Sequence, residues 1–163
     1  LLSRDEISNV VVASSASNCD AFHMTQPDFS AKMAVNCIEG ALKRAGMCGV
    51  DYVNLHGTGT QANDKMEAKA VNLTLGATFT STLKPQIGHT LGAAGAIESA
   101  ICVMLCMDEN STLPPHVYDG EYDESLEAVN LVKSGTKFDV KTAMSLSFAF
   151  GGDNAAIIFK RVR

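Results

Sequence analysis

The segment from Lys84 to Gly95, KPQIGHTLGAAG, limits the possible folds of this chain more than any other stretch. It follows a short strand-like run, Phe79 to Leu83, and leads into an apolar helix expected from about Thr90 to Met107. A strand, a sharp turn and a helix make the βα step of a layered α/β sheet. The first turns of that helix carry only Gly92, Ala93, Ala94, Gly95 and Ala96. Such small side chains let another backbone approach closely, at a cost in helix propensity.

The same step occurs twice upstream. Ile7 to Ser15 is valine-rich and reads as a strand buried on both faces. A polar loop from Ser17 to Phe29 follows, and Ser30 is placed to cap a helix with Met33, Ala34, Cys37, Ile38, Ala41, Leu42 and Ala45 on one face, stopped by Gly46. Asp51 to Leu55 is a second short strand, which ends in the turn His56-Gly57-Thr58-Gly59-Thr60. Asp64 and Glu67 have capping-box spacing for a helix that runs to about Leu75 and is ended by Gly76. After an irregular stretch around Pro114-Pro115, Glu127 to Val132 is a short strand. Ala143 to Phe148, the turn Phe150-Gly151-Gly152-Asp153-Asn154 and Ala155 to Phe159 form a closing hairpin. The expected fold is α/β with mixed strands, one domain over residues 1–163, without repeats.

Composition removes several functions. The net charge is −5 with no block of lysine or arginine, which disfavours nucleic acid and anionic membranes. No apolar run reaches the roughly 18 residues of a membrane span. Cys19, Cys37, Cys48, Cys102 and Cys106 are odd in number and lack framework spacing, so a reduced, cytoplasmic protein is expected. Cys37, Cys102 and Cys106 fall on apolar stripes, the last two with Ile97, Ile101, Met104 and Leu105, and read as core. His23, His56, His89 and His116 show no metal-ligand spacing, so no metal is expected. The chain starts at Leu1 with no signal-peptide pattern, and it is expected to begin inside a longer polypeptide.

Three turns carry chemistry-bearing residues beyond strand ends, where ligands bind in open α/β sheets: His56 to Thr60, Lys84 to His89, and Phe148 to Asn154. A helix start, as expected beside His89, favours a neutral imidazole and a developing negative charge. His56, His89 and Lys84 are therefore the candidates for anionic chemistry. Thr58 and Thr60 are either ligand-binding or turn hydroxyls.

These turns, in this order, resemble the C-terminal half of the β-ketoacyl synthases, the condensing enzymes of fatty-acid and polyketide assembly. The resemblance rests on Asp20 to Pro27, His56 to Thr60, Asp64 to Glu67, Lys84 to Gly95 and Ser147 to Asn154. It implies a thiolase-like fold, in which two βαβαβαββ halves stack as a five-layer αβαβα sandwich and this chain is the C-terminal half. It also implies decarboxylative Claisen condensation of malonyl-acyl carrier protein with an acyl group held on a cysteine. His56 and His89 then resemble the catalytic histidines, Lys84 the active-site lysine, and Glu67 its ion-pair partner. Thr58 and Thr60 resemble pantetheine contacts. Phe150 resembles the gate and oxyanion position, and Asp20 to Pro27 a loop at the substrate entrance. No cofactor is implied, because the substrate arrives on the phosphopantetheine arm of acyl carrier protein.

The nucleophilic cysteine belongs to the family's N-terminal half, and no matching stretch occurs here. That half, acyl carrier protein and a dimer of the complete synthase are the implied partners. Ala149 stands where the family usually has glycine, and Asp153 where threonine is common. A non-catalytic subunit of the chain-length-factor kind is the alternative, disfavoured by retention of His56, Lys84 and His89 together.

Overall fold

The computed structural model describes residues 9–162. Its elements in order are β1 (Val10–Cys19), α1 (Lys32–Ala45), β2 (Tyr52–Asn54), α2 (Gln61–Leu75), β3 (Phe79–Ser81), α3 (Lys84–Ile87), a 3-10 turn (Leu91–Ala93), α4 (Ala94–Met107), β4 (Ser111–Thr112), β5 (Asn130–Leu131), β6 (Lys137–Phe138), β7 (Thr142–Phe148) and β8 (Asp153–Arg161). The main sheet has the order β1-β8-β7-β2-β3-β5, and β4 pairs with β6 in a small separate ribbon. The β7–β2, β2–β3 and β3–β5 pairs are parallel, whereas β1–β8 and β7–β8 are antiparallel. This is the expected mixed sheet with a closing hairpin.

Successive strand residues point to opposite faces, and each face has its own core. Val53, Met144, Leu146, Ala156 and Ile158 pack against α1 and α2. Tyr52, Ala143 and Phe159 pack on the other face with Cys102, Leu105 and Cys106 of α4. The result is three layers, αβα. Burial pushes the Cys37 and Cys106 thiols up to about 11, as expected of core cysteines. Among the described residues no helix is long and apolar enough to cross a membrane.

Four local expectations are corrected. First, β1 is an edge strand that pairs only with β8, and a register shift falls between Val12 and Ser14, so Val11 and Val12 are exposed rather than buried on both faces. The first residues of that expected strand lie outside the described region. Second, the helix expected from Thr90 begins at Ala94, because Leu91 takes a positive φ of 51° and breaks the run into a 3-10 turn. Third, Ile97 and Met104 lie on the outer face of α4 and are exposed, although Cys102, Leu105 and Cys106 are core. Fourth, α2 starts at Gln61, so Asp64 lies inside its first turn and no Asp64–Glu67 capping box forms.

Candidate active site

β2 stops at Asn54 because the chain must turn. Gly57 takes φ +43°, and a Cβ there would lie 2.6 Å from the Cβ of Thr82. Only glycine fits that turn. The turn delivers His56 to the carboxyl ends of the parallel strands, as expected. His89 arrives from the loop between α3 and the 3-10 turn. The two imidazoles lie edge to face with centroids 5.4 Å apart. Phe148, at the end of β7, also meets the His56 ring edge to face, with centroids 6.2 Å apart.

A cleft of about 610 Å³ opens over this pair. It is lined by both histidines, Thr58, Thr60, Phe150 and the Asp20 to Pro27 loop. The three turns singled out in the sequence therefore converge. The Thr58 and Thr60 hydroxyls bond each other at 2.9 Å. Phe150 is 79% exposed, and its N–H makes no backbone bond among the described residues. The Phe150 loop is tied to the neighbouring loop: Gly151 N–H donates to Met24 O at 2.8 Å, Asp20 N–H donates to Gly152 O at 2.8 Å, and Asn154 Nδ2 donates to Asp20 Oδ1 at 2.6 Å. Ala149 is not among the residues with positive φ, so its methyl group sits without strain in this arrangement.

The two imidazoles present the same edge chemically. Leu91 N–H donates to His89 Nδ1 at 3.2 Å, so the neutral ring carries its proton on Nε2. His56 Nδ1 is buried without a partner among the described residues. A proton there would be a dry, unmade donor, whereas an unpaired acceptor is tolerated more often. The Nε2–H tautomer of His56 follows. Burial, with Lys84 and then His89 adding to it, pushes the His56 imidazole down to about 4, so it is neutral at physiological pH.

Lys84 does not line the cleft. Its Nζ is buried, donates to the backbone oxygen of His56 and pairs with Glu98 Oε1 at 2.6 Å. The expectation that Glu67 pairs with Lys84 is therefore wrong. Glu67 instead accepts from His56 N–H and Gly57 N–H, each at 2.7 Å, and from Asn63 Nδ2 at 3.1 Å. Those donors satisfy its carboxylate without a cation. Glu98 and Thr82 escaped sequence reasoning. Glu98 carried a signal, since it is the one charge in the apolar run of α4. Among the described residues no cluster of three metal-ligating side chains occurs.

Residues 9–118 match the family described as the β-ketoacyl synthase C-terminal domain. The chain belongs to that family. It is 38% identical over 149 residues to 3-oxoacyl-[acyl-carrier-protein] synthase 2 of Coxiella burnetii, covering 88% of this chain and 36% of that protein. It is 35% identical over 157 residues to the mitochondrial 3-oxoacyl-[acyl-carrier-protein] synthase of Arabidopsis thaliana, covering 88% of this chain and 32% of that protein. This β-ketoacyl synthase domain thus spans about a third of the length of these curated relatives. Among solved structures it superposes on a ketosynthase in complex with its chain length factor from Xenorhabdus doucetiae, with TM-score 0.90 and 35% identity over 96% of this chain and 40% of that one. A β-ketoacyl synthase from Burkholderia phymatum gives TM-score 0.88 and 33% identity over 95% of this chain and 38% of that one. The domain therefore has the thiolase-like fold of the ketosynthases.

Proposed function

We propose that this chain is the C-terminal portion of a 3-oxoacyl-acyl carrier protein synthase and supplies its decarboxylation machinery. The observation that carries the reading is the pair of neutral imidazoles 5.4 Å apart, each with Nε2–H as its donor. Two such donors aimed at one thioester oxygen stabilise the charge that develops there. In the proposed reaction the bond between the malonyl α-carbon and its carboxylate breaks, and carbon dioxide leaves. The electron pair passes to an enolate whose oxygen both imidazoles hold. The enolate carbon then attacks an acyl thioester, and the cysteine sulfur leaves as thiolate. That cysteine comes from the N-terminal part of the synthase, outside this chain.

Phe150 N–H is free to hold the oxyanion of the attacked acyl group, and the Phe150 side chain gates the cleft. Thr58 and Thr60 bind the pantetheine arm on which acyl carrier protein presents malonate. No resident cofactor is required. Lys84 acts through the His56 carbonyl and its ion pair with Glu98 rather than by touching substrate. The complete synthase works as a dimer in the cytoplasm.

The test is carbon dioxide release from malonyl-acyl carrier protein by the complete synthase. His56→Ala and His89→Ala should each abolish release while iodoacetamide still alkylates the nucleophilic cysteine. Release that survives both substitutions refutes the reading. A chain of the chain-length-factor kind would bind its partner subunit and leave release unchanged in both variants.

A further inference from the structure

The backbone of His56 and Gly57 is held almost entirely by side chains from elsewhere in the fold. Glu67 of α2 takes both N–H groups, one on each carboxylate oxygen, at 2.7 Å. Lys84 Nζ takes the His56 carbonyl. Thr82, just beyond β3, donates its hydroxyl to the Gly57 carbonyl at 3.3 Å. Adjacent N–H groups that converge on one anion form a stable concavity.

This matters because the His56 ring has no orienting partner of its own. A working histidine is ordinarily aimed by the hydrogen bond on its second nitrogen. Here that nitrogen, Nδ1, is buried and unpartnered among the described residues, and the aromatic rings that meet it edge to face are those of His89 and Phe148. The hydrogen bonds that set the aim of the ring are therefore those on its backbone.

We infer that Glu67 is a positioning residue for His56, whose two carboxylate oxygens lock the His56–Gly57 turn and so set the imidazole against His89. The inference rests on the reading of His56 as catalytic. Both oxygens must be acceptors, since Asn63 Nδ2 also donates to Oε2. A glutamine or a protonated acid turns one oxygen into a donor that faces an N–H. Burial pushes the Glu67 carboxyl up to about 7, against the pull of its N–H donors. The ionisable groups around it are Asp64 on its own helix, His116 and Tyr122 across a small cavity of about 150 Å³, and the Lys84–Glu98 pair beyond His56.

The experiment compares Glu67→Gln and Glu67→Asp in the complete synthase. It reads carbon dioxide release against pH and the ¹H–¹⁵N signals of the His56 and Gly57 amides. A misaimed group costs about 10²-fold in rate, so Glu67→Gln should lower kcat by that factor with KM nearly unchanged. Glu67→Asp keeps both oxygens and should regain part of the loss. In wild type the two amide signals should titrate together, and kcat should fall along the same acid limb. Both effects should vanish in Glu67→Gln. Wild-type kcat in Glu67→Gln, or amides that do not titrate together, overturns the inference. So does an equal loss in both variants matched by an equal fall in unfolding midpoint. If Glu67→Gln does not fold, Glu67→Asp and the wild-type amides decide. If His56→Ala retains carbon dioxide release, the functional reading falls, and the amides alone report on the clamp.

Discussion

Glu98→Ala should be among the most damaging single substitutions in this domain. Lys84 Nζ and Glu98 Oε1 are 2.6 Å apart, and their side chains are only 5% and 2% exposed. At an effective dielectric of about 20, charges at that separation attract by roughly 6 kcal/mol. Burial costs several kcal/mol for each ion, so the intact pair contributes little net stability. Removing only Glu98 leaves the ammonium buried with the His56 carbonyl as its remaining acceptor. The expected loss is about 3–5 kcal/mol, read as a shift in the urea midpoint at constant slope. Glu98→Gln, which keeps an acceptor, should lose less. Glu98 Oε2 has no partner among the described residues, so the carboxylate side of the pair lacks the extra hydrogen bonds that favour buried ions over apolar packing. The double variant Lys84→Met/Glu98→Leu should therefore recover most of the stability and none of the activity. A Glu98→Ala loss below about 1 kcal/mol, as for an exposed pair, would refute this account.

Gly57→Ala should cost at least about 2 kcal/mol in the same titration, since strain at positive φ adds to the contact with Thr82. His56 is held down to about 4 in the fold, against about 6.5 unfolded. Its contribution to stability is therefore present above about pH 6.5 and lost as pH falls towards 4. The His56 ring signal should stay fixed from pH 8 to 5.5, and a histidine that titrates normally there would contradict the burial argument. Asn154→Ala should speed hydrogen exchange in residues 149–153, with a local loss of about 1–2 kcal/mol, because it cuts the tie to Asp20. A thiol reagent should label Cys19 and Cys48 in the folded domain, exposing Cys37, Cys102 and Cys106 only on unfolding. Labelling of all five before unfolding would show that the core is not closed.

The order of elements was legible because it depends on local signals. Gly46 and Gly76 end α1 and α2 as their positions suggest, and the two-residue alternation in β7 and β8 sorts side chains between two cores. The convergence of the His56, His89 and Phe150 turns was also legible, since parallel strands present their carboxyl ends together. What failed depends on partners distant in sequence. Glu67 fits a cap by spacing and an ion pair by family resemblance, yet its real partners are backbone amides that no pattern encodes. Lys84 reads as a solvated strand-end charge until Glu98, a turn into α4, is seen to reach it. The break at Leu91 is invisible because leucine gives no warning of positive φ.

β1 and β8 run antiparallel over their whole length, with Cys19 opposite Asp153 at one end and Val10 opposite Arg161 at the other. The first end borders the cleft. The second lies roughly 30 Å away, the span of a ten-residue strand. The two places where polypeptide enters and leaves this sheet are therefore neighbours on the rim remote from His56. A substitution at the Val10–Arg161 rim therefore has the whole length of β1 and β8 between it and the cleft, whereas one at the Cys19–Asp153 end acts on the cleft loops directly.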